Sequence, residues 1–386
     1  MRAATTLAAC AAIGLAAAIP LGFGRFSYAL VLPAMQSDLG LTYAEAGALN
    51  SANALGHLLG AILAIGLLVR VSLATAVIVA TVLTTVTLAA TGLASQFEWL
   101  MVWRFMPGFT GAIAFVAGGA LAAQTASTLP DRAALGVGLF YAGPGIGVVL
   151  AAVLVAPWLF TDATSWPNAW LTMGAAAVVL AAITIWGASV APHQPTAQTA
   201  DSDSNEVSLL PALIGYGFFA AGYVGYMTFI IANVNERAAT AAAVTGWWSI
   251  LGVGAIAASW IWSGFMLRSR DGTALATMIG LTGLASILPV VIPNDIGVTI
   301  SFALFGLVFL STVAATTNLV RIARNAAQQA YWIGIFTVVF GVGQIVGPVA
   351  TGAIADYLGS TNSVLVVSCG LLIVGAVIAR CQRNVD

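Results

Sequence analysis

Ala191-Pro-His-Gln-Pro-Thr-Ala-Gln-Thr-Ala-Asp-Ser-Asp-Ser-Asn-Glu-Val-Ser208 is the one long polar stretch in an otherwise apolar chain. Its prolines Pro192 and Pro195 and its acids Asp201, Asp203 and Glu206 give it the composition of a flexible linker, with too little apolar surface to fold on its own. On each side of it the sequence breaks into six apolar segments. Before it they fall near 6–34, 42–69, 73–94, 97–125, 134–160 and 166–190; after it near 209–233, 239–265, 273–293, 296–319, 327–355 and 358–380. Each is close to or above the roughly 20 residues that carry a helix across a bilayer core.

Composition agrees with a lipid solvent. Of 386 residues 60% are hydrophobic and 6% charged, and the mean hydropathy is +1.01. No water-soluble fold could cover itself with so little polar surface. The runs are continuous rather than alternating, so the spans are helices and not the strands of a barrel. The expected fold is an all-α membrane protein of twelve transmembrane helices in two six-helix bundles, residues 1–190 and 209–386, joined by a cytoplasmic linker over 191–208. Arg2 and the Ala-rich stretch after it have the outline of a signal peptide. The apolar run continues to about Pro33, longer than such a segment, so a retained first helix is expected.

Arginine side-counting gives an orientation. With a cytoplasmic N-terminus, Arg2, Arg70, Arg132, Arg268, Arg270, Arg321, Arg324, Arg380 and Arg383 fall inside and Arg237 alone falls outside. A missed or invented span would scramble that asymmetry. Both termini are therefore expected in the cytoplasm, with the protein in a bacterial inner membrane.

Several function classes are excluded. The net charge is −1 and there is no Lys, which leaves no basic patch for nucleic acid. Cys10, Cys369 and Cys381 lack redox or zinc spacing, so neither disulfide nor metal is expected. The chain carries no phosphate-binding loop and no hydrolase or metalloprotease motif, and His193 lies in the linker. No enzyme and no cofactor is expected, and energy for any work must come from a solute or ion gradient.

Weak echoes link the halves: Gly138-Leu-Phe with Gly334-Ile-Phe, and Gly22-x-Gly24-Arg25 with Gly222-x-x-Gly225-Tyr226. More specific are Gly22-Phe-Gly-Arg-Phe-Ser-Tyr28 followed by Leu32-Pro33-Ala-Met, Arg104-Phe-Met-Pro-Gly108, and Ala142-Gly-Pro-Gly-Ile-Gly147. On these motifs the whole chain resembles the major facilitator superfamily, and within it the YbfB/YjiJ-type subfamily. The resemblance implies alternating access, with substrate held near the midplane between the halves. It also implies that Arg104 and Gly108 form the fourth-helix R-x-x-x-G motif, and that Gly143, Pro144 and Gly147 form the fifth-helix G-P-x-x-G element associated with exporters. The sequence departs from the superfamily's G-x-x-x-D-R-x-G-R-R loop: Gly60 to Arg70 keeps a glycine and one arginine but no aspartate, whereas Arg268-Ser-Arg-Asp271 retains more of it.

Arg25 and Arg104 are the intramembrane charges. A guanidinium in hydrocarbon costs at least about 2.5 to 3.5 kcal/mol and persists beside a partner or a wet cavity. No carboxylate is expected at mid-membrane. Arg25, with Tyr28, is the candidate anchor for a small organic anion, since guanidinium matches a carboxylate in geometry. The bland reading sends Arg25 to Glu45 or Asp38 at the mouth and Arg104 to backbone carbonyls near Pro107. Asn50, Asn53 and His57 share one face of the second helix and are expected to line the cavity, with His57 the candidate for proton coupling. Tyr223 and Tyr226, on one face of the seventh helix with Tyr216, and Gln344 on the eleventh complete the candidate binding set. Gly347 and Pro348, with Gly143, Pro144 and Gly147, are read as packing, bend or gate positions. Trp99, Trp158 and Trp166 are assigned to the interfacial belt.

The expected function is secondary transport of a small, carboxylate-like organic anion by alternating access, by a monomer whose partners are substrate, lipid and protons as the candidate coupling ion. The alternative is an exporter of apolar drugs or metabolites. A third class, a non-transporting receptor or scaffold, would lack a polar cavity between the halves.

Overall fold

The computed structural model describes residues 3–159, 162–192 and 207–385. The body of the linker, with His193, Pro195 and the acids at 201–206, lies outside the described residues, as does Arg2. Twelve apolar helices long enough to cross a membrane follow in order: α1 (Ala3–Leu39), α2 (Tyr43–Leu67), α3 (Leu73–Thr91), α4 (Phe97–Ser127), α5 (Pro130–Val155), α6 (Ala163–Val190), α7 (Leu210–Asn235), α8 (Ala241–Ala258), α9 (Thr273–Val291), α10 (Asp295–Ala323), α11 (Tyr331–Leu358) and α12 (Asn362–Arg380). No strand occurs among the described residues. The helix ends fall within a few residues of the hydropathy boundaries; α8 continues to Ile261, and a separate short helix, Ser263–Arg268, follows it.

Local chemistry explains how so many polar side chains are tolerated. Hydroxyls of Thr84, Thr85, Thr125, Thr184 and Thr282 each donate to the carbonyl four residues back, so the helices carry them without exposing a free donor to lipid. At the start of α2, Thr42 and Glu45 form a reciprocal capping box. In the loop before α9, Asp271 accepts from the Thr273 amide and hydroxyl and pairs with Arg380 at 3.3 Å. Burial works against that charge, but the Thr273 bonds, Arg380 and Ser269 outweigh it and hold the carboxyl below its usual range.

The packing repeats with an offset of six helices. In the first half α2 packs on α4, α3 on α4 and α6, and α1 on α5 and α6; in the second α8 packs on α10, α9 on α10 and α12, and α7 on α11 and α12. Between the halves α2 meets α11, α5 meets α8 and α1 meets α7, the pairing expected for parallel repeats about an axis along the membrane normal.

Contacts between the halves are tight at the face opposite the linker. The Asp356 carboxylate at the end of α11 accepts from the Tyr43 and Ala44 amides at 2.8 and 2.9 Å, so one half caps the first turn of a helix in the other. Tyr43 also donates from its hydroxyl to Glu236. Below this, Gly47 lies so close to α11 that a Cβ would stand 2.3 Å from the Pro348 carbonyl oxygen, and a Cβ on Gly352 would stand 2.3 Å from that of Tyr43. The far face is closed by backbone approaching backbone.

Gly47→Val is expected to disfavour this closed arrangement. Overpacking of this kind costs about 1–3 kcal/mol, enough to move a two-state ratio by about one to two powers of ten. Spin labels on S95C and S360C, in far-face loops of opposite halves, report it: the distance distribution should shift to longer values, and an unchanged distribution would rule the seal out.

Candidate functional site between the halves

The first helix is not regular. Residues Ala18–Phe26 form a π-helical segment containing Pro20, Gly22, Gly24 and Arg25. A proline ring collides with the carbonyl four residues back in an α-helix, and a wider turn relieves that collision. The segment ends at Ser27, whose amide and hydroxyl both donate to the Gly22 carbonyl, at 3.0 and 2.6 Å. Gly22 and Gly147 touch so closely that a Cβ on Gly22 would stand 2.5 Å from the Gly147 Cα. Gly143 likewise abuts the Gly14 carbonyl. Helix α5 is interrupted at Ala142, just before Gly143 and Pro144. The Gly-Pro element thus coincides with a break and seats α5 against the π segment.

Arg104 is fully buried, and its surroundings account for its charge. Its Nη1 donates to the Gly24 carbonyl at 2.5 Å, and its guanidinium lies over the Tyr28 ring at 4.4 Å and the Trp170 ring at 5.0 Å. Two aromatic faces and a carbonyl are strong partners for a desolvated cation, while its Nε and Nη2 are buried without hydrogen bonds. The carbonyl it takes belongs to the π segment and not to the neighbourhood of Pro107. Tyr28 donates to the Ala46 carbonyl at 2.8 Å, so its hydroxyl is engaged while its ring faces Arg104.

Arg25 differs. It is 5% exposed, its Nη2 is buried without a hydrogen bond, and none of the described carboxylates pairs with it. The acids at the mouth are engaged elsewhere: Asp38 accepts from the Trp166 indole at 2.8 Å, and Glu45 serves the α2 cap. Trp166 is accordingly 2% exposed, in the protein and not in the lipid belt, while Trp99 and Trp158 are exposed as expected. Arg25 lies within electrostatic range of Tyr223, His57 and Arg104.

The polar stripe of α2 divides among three environments. Asn50 donates across the halves to the Thr228 hydroxyl at 2.7 Å, and its Oδ1 is buried and unbonded. Asn53 turns to its own half and donates to the Arg104 carbonyl at 3.0 Å; Gly108 lets the two helices approach there, since a Cβ on it would stand 2.2 Å from the Asn53 backbone carbonyl oxygen. His57 is half-buried, with its ring 6.4 Å from that of Phe115.

Opposite Arg25 the second half presents rings. Tyr223 stacks on Phe219 at 4.8 Å and on Phe340 at 5.7 Å, and Tyr216 continues the stack at 5.0 Å from Phe340. Gln344 donates to the Tyr223 hydroxyl, so these two members of the candidate set meet. Tyr226 turns aside, stacking on Phe305 at 4.3 Å and sharing a hydrogen bond with Ser301. Gly347 abuts the Ala221 carbonyl of α7, and Pro348 sits at the far-face seal. Residue-level reading missed Trp170, Thr228 and Phe309, because nothing local distinguishes them from packing residues.

A family model described as "Uncharacterised MFS-type transporter YbfB" matches residues 17–380. No curated protein sequence matches the chain. Among solved structures it is similar to a bacterial homologue of the human lysosomal transporter Spinster in an inward-facing, unoccupied conformation, at TM-score 0.74 and 13% identity over 98% of this chain and 97% of that one. It is also similar to the nucleoside transporter NupG (D323A mutant), at TM-score 0.70 and 14% identity over 96% and 98%. At these identities the likeness is one of fold. The family model covers nearly the whole chain, so this integral membrane protein belongs to the YbfB-type family of major facilitator transporters.

Proposed function

We propose that the chain is a secondary carrier of a small organic anion, working by alternating access with Arg25 as the anchor. The observation that carries this reading is the contrast between the two buried guanidiniums. Both carry buried nitrogens without hydrogen bonds, Nε and Nη2 on Arg104 and Nη2 on Arg25, but Arg104 has two ring faces and the Gly24 carbonyl, whereas Arg25, on a π-helical segment at the junction of the halves, has neither a ring face nor an acceptor among the described residues. π-helical turns concentrate at functional sites, and an unpaired buried cation is stabilised by an anion that brings two acceptor oxygens.

Nine loop arginines against one support a cytoplasmic linker, cytoplasmic termini and residence in a bacterial inner membrane. In that orientation the tight far face is the one away from the cytoplasm, and opening it requires breaking the Asp356 cap on α2. Proton coupling runs through His57. His57 shares a helix face with Asn50 and Asn53, and an anion bound on Arg25 would lower the cost of a proton there, so anion and proton would enter together. Export of apolar compounds is the second reading, favoured by the rings of α7 and α11.

In proteoliposomes Arg25→Ala should abolish anion exchange while leaving a folded, monodisperse protein; an Arg25→Ala carrier that exchanges at the original rate excludes the anchor. Arg104→Lys should retain exchange, and Arg104→Ala should lower stability by about 1–3 kcal/mol, because the Gly24 carbonyl loses its partner. Thermal melting of the two variants measures this.

His57→Gln should lose acceleration by an inward proton gradient yet keep exchange at equal pH on both sides. Uptake at imposed pH gradients checks it, and a gradient response equal to that of the unmodified protein removes His57 from the coupling.

A further inference from the structure

The ring stack is continuous with the charge. Phe26, the residue after Arg25, meets Phe309 of α10 edge-on at 5.3 Å, and Phe309 lies 6.3 Å from Tyr223 at 26°. From Tyr223 the stack runs in nearly parallel planes to Phe219 at 13° and to Phe340 at 6°. Phe219 and Phe309 are fully enclosed, whereas Phe340 is half-buried and is the member with ring surface to offer. The hydroxyl of Tyr223 accepts from Gln344 and keeps its own O–H to donate.

Resting on the anion reading above, we propose that the substrate is an aromatic carboxylate, its carboxylate on Arg25 and its ring stacked on Phe340 and the Tyr223 edge of the array. An aliphatic anion would gain burial here but no stacking, and offset stacking adds to the burial of a flat ring. The first half supplies the charge and the second the ring surface, so the ligand joins the two halves.

Purified protein in nanodiscs is titrated calorimetrically with phenylacetate, cyclohexylacetate and neutral phenylacetamide. Phenylacetate should bind about two- to tenfold more tightly than cyclohexylacetate, and phenylacetamide should not bind measurably. Phe340→Leu should erase the preference for the ring but keep the preference for charge. Phe340→Tyr should keep both, which separates ring loss from misfolding, and Arg25→Gln should erase the preference for charge. Equal affinity for the two carboxylates, or a ring preference that survives Phe340→Leu, overturns the aromatic assignment and leaves the anion reading intact. Binding of phenylacetamide as tight as that of phenylacetate overturns the anion reading itself, and absence of binding by all three overturns the aromatic assignment.

Discussion

The donation from Arg104 to the Gly24 carbonyl holds the centre of the molecule together. A π-helical turn leaves backbone groups out of the regular ladder, and in a membrane such groups need a protein partner because no water is at hand. Arg104 provides it from α4, and its own charge is sheathed by Tyr28 of α1 and Trp170 of α6. One guanidinium therefore ties three helices of the first half to the irregular turn. Gly22 against Gly147 holds the same turn from the side of α5. The irregular backbone that presents Arg25 is thus braced on two sides.

This bracing explains why two arginines of the same type differ in their surroundings. Arg104 has its charge distributed over ring faces and a carbonyl within one half, and none of those partners needs to move when the halves rock. Arg25 belongs to the same braced turn and lies within electrostatic range of Tyr223, a member of the charge-poor ring array of the other half. None of the described carboxylates pairs with it: Asp38 is held by Trp166, Glu45 by the α2 cap and Asp356 by the Tyr43 and Ala44 amides.

Much of this was legible in the sequence, for physical reasons. Hydropathy reports the solvent directly, so the twelve spans and the polar break at 191–208 could be read without any long-range information. Arg25 and Arg104 stood out because the cost of burying a charge does not depend on the fold. Which residues answer those charges was not legible. Asn53 looked like Asn50 on a helical wheel, yet one serves the Arg104 carbonyl and the other crosses to Thr228. Tyr226 shared a face with Tyr223 but turns to Ser301. Trp166 carried the composition of a lipid-belt residue, and only the fold brings Asp38 to its indole. The π turn had a signal in Pro20, Gly22 and Gly24, one residue without an N–H and two with a low helix propensity. The capping box Thr42-x-x-Glu45 was likewise visible as a pattern.

The halves repeat in packing but differ in chemistry, and that difference bears on how a carrier can cycle. Their far-face contacts are short and local: a carboxylate on two amides, and glycines that let α2 and α11 touch. Bonds of this kind exchange readily for water at a membrane surface, so breaking them costs little net free energy. The central contacts are of another sort. Arg25 has a buried Nη2 without a hydrogen bond, and Asn50, which crosses to Thr228 of the other half, leaves its Oδ1 unbonded. An interface with a replaceable rim and an incomplete centre has little reason to stay in one state, and a ligand that completes the centre supplies the differential binding by which populations of two states are shifted.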